Sequence, residues 1–506
     1  MKRKRMLIAG FAGLSIWGVL LLALSIAEHG QAGTGIHTFW DAAWYSIVTL
    51  TTAGYGDLVP VTVVGKLIGV LLMLMGVGLW AALIGVVWTT LRDALLPTWR
   101  LFLIRRKPWY VFSERNDASE ALALDLQKQD PGYWFVFCRD SAGQFGKEHA
   151  GMLSVPLDML DLMDTRLAGK GPRTIFLMAR DGWANAFMAE ALVSRCTAVY
   201  CRGEEAAAVP GVRCFDPAVL CARQYWQNHP AEPKETVFLL CGDGAQAQAL
   251  LCEGLLSCCR EPYYPTTFHA FGDWTDFQRM HPELSGVFFH TEPWNSSRDL
   301  LEKADRIIIA SEDERANAEQ AAALAQAFPL SGIVHAATSL PAVCDERFGA
   351  PSQIYSAELV MQHTLDRLAV TMNQTYGKLF GSMTSWDDLS PFLKDSNRAA
   401  ADHLLTKLRL LLPEEDIRQP DAAAFTRAAA RYEALTPEER EDCRRNEHAR
   451  WSLFHTLHNW RYAPVRDNSK RLHPCLVPYE SLSDEDKAKD DTAWEIISAI
   501  AEDMKQ

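Results

Sequence analysis

Two stretches of the chain carry no charged residue, and each is long enough to cross a lipid bilayer. Met6–Ala27 is 22 residues long, and about 20 are needed for a ~30 Å hydrocarbon core. Leu67–Leu91 is the second. Such runs restrict the backbone to helix, because polar groups in lipid must bond within their own segment. The basic start Lys2–Arg5 is like the opening of a signal peptide. The first run is nevertheless too long for an ordinary signal core, and no small-x-small cleavage site precedes Glu28, so it reads as a retained span.

Basic residues set the orientation. Lys2, Arg3, Lys4 and Arg5 precede the first run, and Arg92, Arg100, Arg105, Arg106 and Lys107 follow the second. None lies between Met6 and Gly65. Both termini are therefore expected in the cytoplasm of an inner-membrane protein, with Glu28–Gly65 outside. Charge divides the chain at the same place. Residues 1–107 hold ten Lys/Arg and four acids, a net of +6, so the remainder carries −19 of the total −13. All 12 cysteines follow residue 107, and none forms a C-x-x-C pair. Buried free thiols are expected there rather than zinc ligands.

The loop between the spans is the most informative stretch. Thr38–Leu50 suits a short helix, with Thr38 as cap and Asp41 in the first turn. Its carbonyl end would point at the bilayer centre. Thr52–Gly56 is expected to return outward as an extended strand. A dehydrated K⁺ needs rings of oxygens in place of water. Gly54 and Gly56 permit the dihedrals that turn successive carbonyls inward. Thr52 adds a hydroxyl, and Tyr55 is expected to brace against Trp44 and Tyr45. One chain supplies one strand, so about four copies must surround an ion.

Thr52-Ala53-Gly54-Tyr55-Gly56-Asp57 resembles the potassium-channel filter signature, with Ala53 where Val or Ile is commoner. The flanking spans resemble the two-transmembrane channel subunit. The resemblance implies ion binding at Thr52, Ala53, Gly54, Tyr55 and Gly56, potassium as the only metal, and a homotetramer in a lipid bilayer. It also places Gly76 where the inner helix bends; close helix packing is the other reading of that glycine. Val48 stands where the family often has an acid, so an acid brace beside Asp57 is absent.

After the basic linker the pattern alternates strand and helix. Strands are expected at Trp109–Phe112, Tyr133–Cys138, Thr174–Ala179 and Thr197–Cys201, with helices at Asn116–Gln129 and Trp183–Arg195. The rhythm restarts with strands at Thr236–Cys241, Thr266–Phe271, Arg306–Ala310 and Gly332–Ala336, and a helix at Glu314–Phe328. This βαβ order predicts two tandem α/β Rossmann-like domains with parallel sheets, residues 108–231 and 232–375. Gly242, Gly244 and Ala247 partly fit a phosphate-binding turn, and Asp273 follows the next strand, where it either takes a ribose hydroxyl or is an ordinary surface acid. Ser113-Glu114-Arg115-Asn116 in the first domain has no glycine and is not expected to hold pyrophosphate. Two such domains behind a two-span pore resemble the regulator-of-potassium-conductance arrangement, in which a cytoplasmic ring pulls the inner helices.

The tail, residues 376–506, is mainly helical. Thr436-Pro437-Glu438-Glu439 is a helix start. Trp386, Ser396-Asn397-Arg398, Asn446–Trp451, Trp460–Tyr462 and Arg466-Asp467 through Lys470 to His473–Val477 resemble the ryanodine-receptor repeat. Arg450, Arg461, Arg466 and Lys470 beside Trp451, Trp460 and Tyr462 suit a stacked base and a phosphate. Core tryptophans and an Arg-Asp brace are the structural alternative.

The expected protein is thus a membrane α-helical pore domain, residues 1–107, followed by two Rossmann-like domains and a helical repeat domain. Its expected function is a tetrameric, potassium-selective channel of the inner membrane, gated by a cytoplasmic small molecule. A nucleotide is the candidate ligand. The alternative is a ligand-sensing effector whose weakly selective pore depolarises the cell in response to a nucleotide signal. No enzyme activity and no nucleic-acid partner are expected.

Overall fold

The computed structural model describes residues 2–91, 96–139, 149–164, 171–327, 332–381, 384–418 and 420–503. Two compact units form, one from the N-terminal 103 residues and one from Ile104 onward.

The first unit holds α1 (Lys2–Glu28), α2 (Phe39–Leu50), α3 (Val63–Thr90) and all but the last residue of α4 (Leu96–Ile104). Residues Val63–Trp88 within α3 are long and apolar enough to cross a membrane. Leu24 of α1, Ala42 and Tyr45 of α2, and Ile68 and Leu72 of α3 form one buried cluster with Ile36. Glu28 ties the ends of the helices together. Its fully buried carboxylate accepts bonds from Val61 N (3.0 Å), Thr62 N (3.0 Å) and Thr62 Oγ1 (2.6 Å). Thr62 in turn caps α3 by accepting from Gly65 N at 2.9 Å. A Cβ at Gly65 would lie 2.0 Å from Glu28 Oε1, so any side chain there would have to displace the carboxylate from this joint.

The second unit holds two six-stranded parallel sheets. The first contains β1 (Trp109–Phe112), β2 (Trp134–Phe137), β3 (Met152–Ser154), β4 (Arg173–Leu177), β5 (Ala198–Arg202) and β6 (Val212–Phe215), in the order β3-β2-β1-β4-β5-β6. The second contains β7 (Val237–Cys241), β8 (Thr267–Phe271), β9 (Val287–His290), β10 (Arg306–Ile309), β11 (Ile333–Ala337) and β12 (Glu346–Phe348), in the order β12-β11-β10-β7-β8-β9. Counted from its own first strand, the second sheet repeats the order of the first. It is the 3-2-1-4-5-6 order of the doubly wound dinucleotide fold.

The two sheets share a core. The helix Pro217–Asn228, capped by Asp216, leaves the first sheet and packs into the second domain. There Trp226 Nε1 donates to Leu250 O at 2.9 Å, and Tyr225 Oη meets His335 Nδ1 at 2.7 Å. In return Ala357 N, past the second sheet, donates to Asp125 Oδ2 of the first domain at 2.9 Å.

The expected boundary at 375/376 needs correction, because it falls inside the helix Arg367–Phe380. Ala369 and Met372 of that helix pack with Leu404, Leu408, Phe425 and Trp494 in the C-terminal helical core. Arg223 of the crossover helix anchors this module through Asp366 and Asp402, each at 2.6 Å.

Candidate functional site

The loop after α2 is fixed from behind. Thr38 and Asp41 close a capping box at the start of α2, and Trp17 Nε1 donates to Ser46 Oγ at 3.2 Å. At the other end Thr51 N and Thr52 N donate to Ile47 O (2.9 Å) and Thr49 O (3.1 Å). Ala53 N and Gly54 N both donate to Val48 O, at 3.0 and 3.2 Å. The amides of the loop thus turn back onto the helix end. Among the described residues, no hydrogen bond is made to the carbonyls of Thr52–Gly56.

The loop is not the ordinary extended strand expected. Thr52, Gly54 and Gly56 have φ of 61°, 56° and 74°, whereas Ala53 and Tyr55 between them have negative φ. In a plain strand successive carbonyls alternate sides. Alternation between left- and right-handed φ brings them to one side instead. A β-branched residue at positive φ is strained, and such strain persists only where the surroundings over-determine it.

Tyr55 stacks on Trp44, with ring centroids 6.4 Å apart and planes 12° apart, and Trp44 Nε1 donates to Asp57 Oδ2 at 2.9 Å. Tyr45 does not share this brace; it is buried against α3. The Trp44 bond holds Asp57 in the place of the absent acid at Val48. At Gly76, α3 runs unbroken, and a Cβ would stand 2.9 Å from Leu50 O. In this structure the glycine serves close packing.

The second domain brings Gly242, Gly244 and Asp273 to the carboxyl ends of its interior strands β7 and β8. Gly242 has φ 140°, and a Cβ there would meet Ala310 O at 2.5 Å. Gly244 caps the helix Ala245–Ser257 without a side-chain bond. Carboxylates crowd the same place. A Cβ at Gly244 would lie 2.4 Å from Glu312 Oε1, and Asp243 Oδ2 accepts from Asp273 N at 2.7 Å. That charge is opposite to what a pyrophosphate requires. Asp273 itself turns its carboxylate to Thr275 N at 3.1 Å. In the first domain Asn116 caps its own helix by accepting from Ser119 N at 2.8 Å and bonds across to Met178 O at 3.2 Å, which closes the equivalent crevice.

In the C-terminal module the residues grouped by sequence separate into two sets. Arg450 is 3% exposed and bound to Glu447 at 2.6 Å, while Lys407, also buried, reaches Glu447 at 2.8 Å. Burial alone would raise the Glu447 carboxyl, but the Arg450 and Lys407 charges outweigh it and hold it far below the usual range. Arg450 is therefore part of the core rather than a free ligand contact. Trp460 is buried against Phe392 and His455, with both ring distances 5.3 Å, and Trp451 packs on His455 at 4.0 Å. Arg461 and Tyr462 are exposed on a two-residue strand paired with Leu472–His473, and Arg466 and Lys470 are exposed on the loop between the two. The supposed Arg466–Asp467 brace is not formed. Arg466 Nε donates to Asn468 Oδ1 at 2.8 Å, and Asp467 pairs with Lys470 at 3.5 Å.

Two further features were not read from the sequence. Glu28 looked like the end of a span, and only the fold shows it bonded to residues more than thirty positions away. Asn185 and Asn317, both fully buried, clamp the ends of strands 4 and 5 of their sheets. A repeated signal was available for these: Asp181-x-x-Ala184-Asn185-Ala186 and Asp313-x-x-Ala316-Asn317-Ala318.

Comparison with known proteins identifies two segments of the chain. Residues 9–93 match the ion channel family, and residues 433–502 match the RyR domain. The chain thus carries an ion-channel domain near its N-terminus and a RyR domain near its C-terminus. A voltage-gated potassium channel of Aeropyrum pernix is 45% identical over 65 residues, 13% of this chain and 22% of that one. Human potassium voltage-gated channel subfamily A member 5 is 44% identical over 62 residues, 12% of this chain and 10% of that one. The chain therefore spans a quarter or less of these relatives, and the likeness concerns the pore segment. Among solved structures, GsuK bound to ADP superposes with a TM-score of 0.39 at 16% identity, covering 71% of this chain and 99% of that one. The GsuK channel bound to NAD gives 0.37 at 14%, covering 72% and 85%. Superpositions this loose carry no argument about arrangement.

Proposed function

We propose that the chain forms a tetrameric, potassium-selective channel of the inner membrane, gated by a small molecule bound to its cytoplasmic domains. The observation that carries the reading is the loop Thr52–Gly56. Its alternating φ angles and back-bonded amides leave five carbonyls for an ion to collect. One such strand does not encircle a cation, and four around an axis do. The pore relatives, named potassium channels, support the choice of ion. Trp183 and Phe187, one helical turn apart and 75% and 70% exposed, form an apolar stripe suited to burial between copies. Both termini are cytoplasmic in this reading, and no catalytic residue is needed, since transport is passive.

Gating requires a ligand that favours one state of the cytoplasmic domains over the other. The carboxylates around Gly244 argue against a phosphate at that turn, so the ligand binds elsewhere in those domains. Reconstitution of the full chain into liposomes tests the reading. K⁺ flux well above Na⁺ flux is the expected result, and equal fluxes would reject selectivity.

A further inference from the structure

The second α/β domain meets the C-terminal helices across a cavity of about 530 Å³. Arg260, Tyr263 and Tyr264 line it from one part, and Arg409, Leu410 and Leu435 from the other. Small-molecule sites have this character: about 300–1,000 Å³, mainly apolar, with a few polar groups, placed at a domain junction.

Arg260 is the unusual member. It is 4% exposed. Its Nη1 donates to Glu232 O at 2.7 Å, and its Nη2 to Thr266 Oγ1 at 3.1 Å and to Glu235 O. Its Nε is buried with no hydrogen-bond partner. Among the described residues, no carboxylate stands within ion-pair distance of it, whereas the buried Arg223, Arg306 and Arg450 each have one. A buried charge costs several kcal/mol unless it is paired. Burial accordingly holds the Arg260 guanidinium below the ordinary arginine range, and its neighbours offset this only in part. Arg173, also buried, is covered by the Trp109 ring at 3.9 Å, and main-chain carbonyls take its donors.

A second cation lines the cavity beside Arg260. The Arg409 side chain is 9% exposed; its Nε and Nη1 donate to Ile417 O (2.7 Å) and Ala231 O (3.0 Å), and its Nη2 stands 3.6 Å from the exposed Glu232. Two acids at the cavity are already engaged, Glu415 by Arg427 and Glu439 by Arg431. A third, Glu414, is exposed. Tyr264 is 42% exposed, and its ring centroid lies 6.0 Å from the Arg260 guanidinium, which leaves an aromatic surface beside the cation.

We propose that this cavity binds a small organic anion with a planar apolar body, its charged group on Arg260 and Arg409 and its ring against Tyr264 and Leu435. The anion supplies the missing counter-charge and bridges the two parts of the cytoplasmic unit. This gives the gating ligand of the proposed function a site and a chemical class. It rests on that reading for its consequence, not for the binding itself.

The probe is 1-naphthyl phosphate, titrated by calorimetry into the purified full-length chain in detergent. Inorganic phosphate and 1-naphthol are the comparisons. Saturable binding is expected, at least tenfold tighter than for either half alone. Arg409→Gln and Leu435→Trp, the second filling the cavity, should each weaken it tenfold or more. Ser452→Trp, in the separate cavity on the other side of Arg260, should leave affinity unchanged. Absence of binding to the unaltered chain overturns the proposal, as does 1-naphthol binding as tightly as the phosphate. Equal affinity in Leu435→Trp overturns it too, as does a tenfold loss in Ser452→Trp. Calorimetry does not need a conducting pore, so this result stands apart from any failure of the flux test.

Discussion

Asn185 and Asn317 do the same work in the two sheets. Asn185 takes Ala179 N at 3.2 Å and gives its amide hydrogens to Ala179 O and Arg202 O, at 2.8 and 3.0 Å. Asn317 takes Ser311 N at 2.9 Å and gives to Ser311 O and Ala337 O, at 2.9 and 2.8 Å. Alanine at either position strands buried main-chain groups, each at about 1–3 kcal/mol. Asn317→Ala is predicted to lower the stability of the cytoplasmic unit by about 2–3 kcal/mol, read by chemical denaturation; a neutral result would show that the clamp is dispensable. The Asp-x-x-Ala-Asn-Ala repeat was present in the sequence. Its meaning was not legible, because the partners of each asparagine lie on strands that only the fold brings together. Glu447 is a related case. Sequence suggested that Arg450 faces a ligand, yet the carboxylate one turn away neutralises it. Glu447→Gln leaves Lys407 and Arg450 buried without a counter-charge, a loss of about 3–5 kcal/mol. The C-terminal module should then become sensitive to protease while the α/β domains resist.

At the scale of elements, the strands legible in sequence were the central ones. The expected strands match β1, β2, β4 and β5 of the first sheet and β7, β8, β10 and β11 of the second within a residue or two. The four not read, β3, β6, β9 and β12, are all edge strands of three or four residues. A central parallel strand is buried on both faces and reads as an apolar run. An edge strand such as β12, Glu346-Arg347-Phe348, has no such run. Pore helix α2 was legible because its cap is local. The packing role of Gly76 was not, since it concerns the contact of α3 with Leu50. Gly76→Ala places a methyl 2.9 Å from a main-chain oxygen, which cannot rotate away. The prediction is reduced K⁺ flux in liposomes at normal expression; unchanged flux would show that the contact yields freely.

Within the second unit, the parts are joined through buried charge. Glu253 sits near Arg223, Arg398, Asp395 and Asp402 where the crossover helix meets the C-terminal module. Burial first, and the Asp402 charge second, push its carboxyl up to about 8 from 4.5, with Arg223 and Arg398 opposing. Because the folded value is the higher one, the contribution to stability is full below pH 4.5 and is lost as pH rises through about 8. The slope is at most about 1.4 kcal/mol per pH unit. Unfolding between pH 6 and 9 should therefore become easier with pH, and Glu253→Gln should flatten that dependence. Identical slopes would remove Glu253 from the account.

The division of charge, +6 before residue 108 and −19 after it, was legible at once, and so was the loop proposed as the filter, because its residues are contiguous. The cavity proposed to bind an anion was not, since it is assembled from residues some 150 positions apart. The filter remains the central claim, and one measurement bears on it most directly. Gly54 has φ 56°, and alanine there resists that backbone angle. K⁺ flux through reconstituted Gly54→Ala channels, with assembly checked by mass in detergent, should vanish while the tetramer persists. Undiminished flux from an intact Gly54→Ala assembly would contradict the assignment of Thr52–Gly56 as the ion-binding strand.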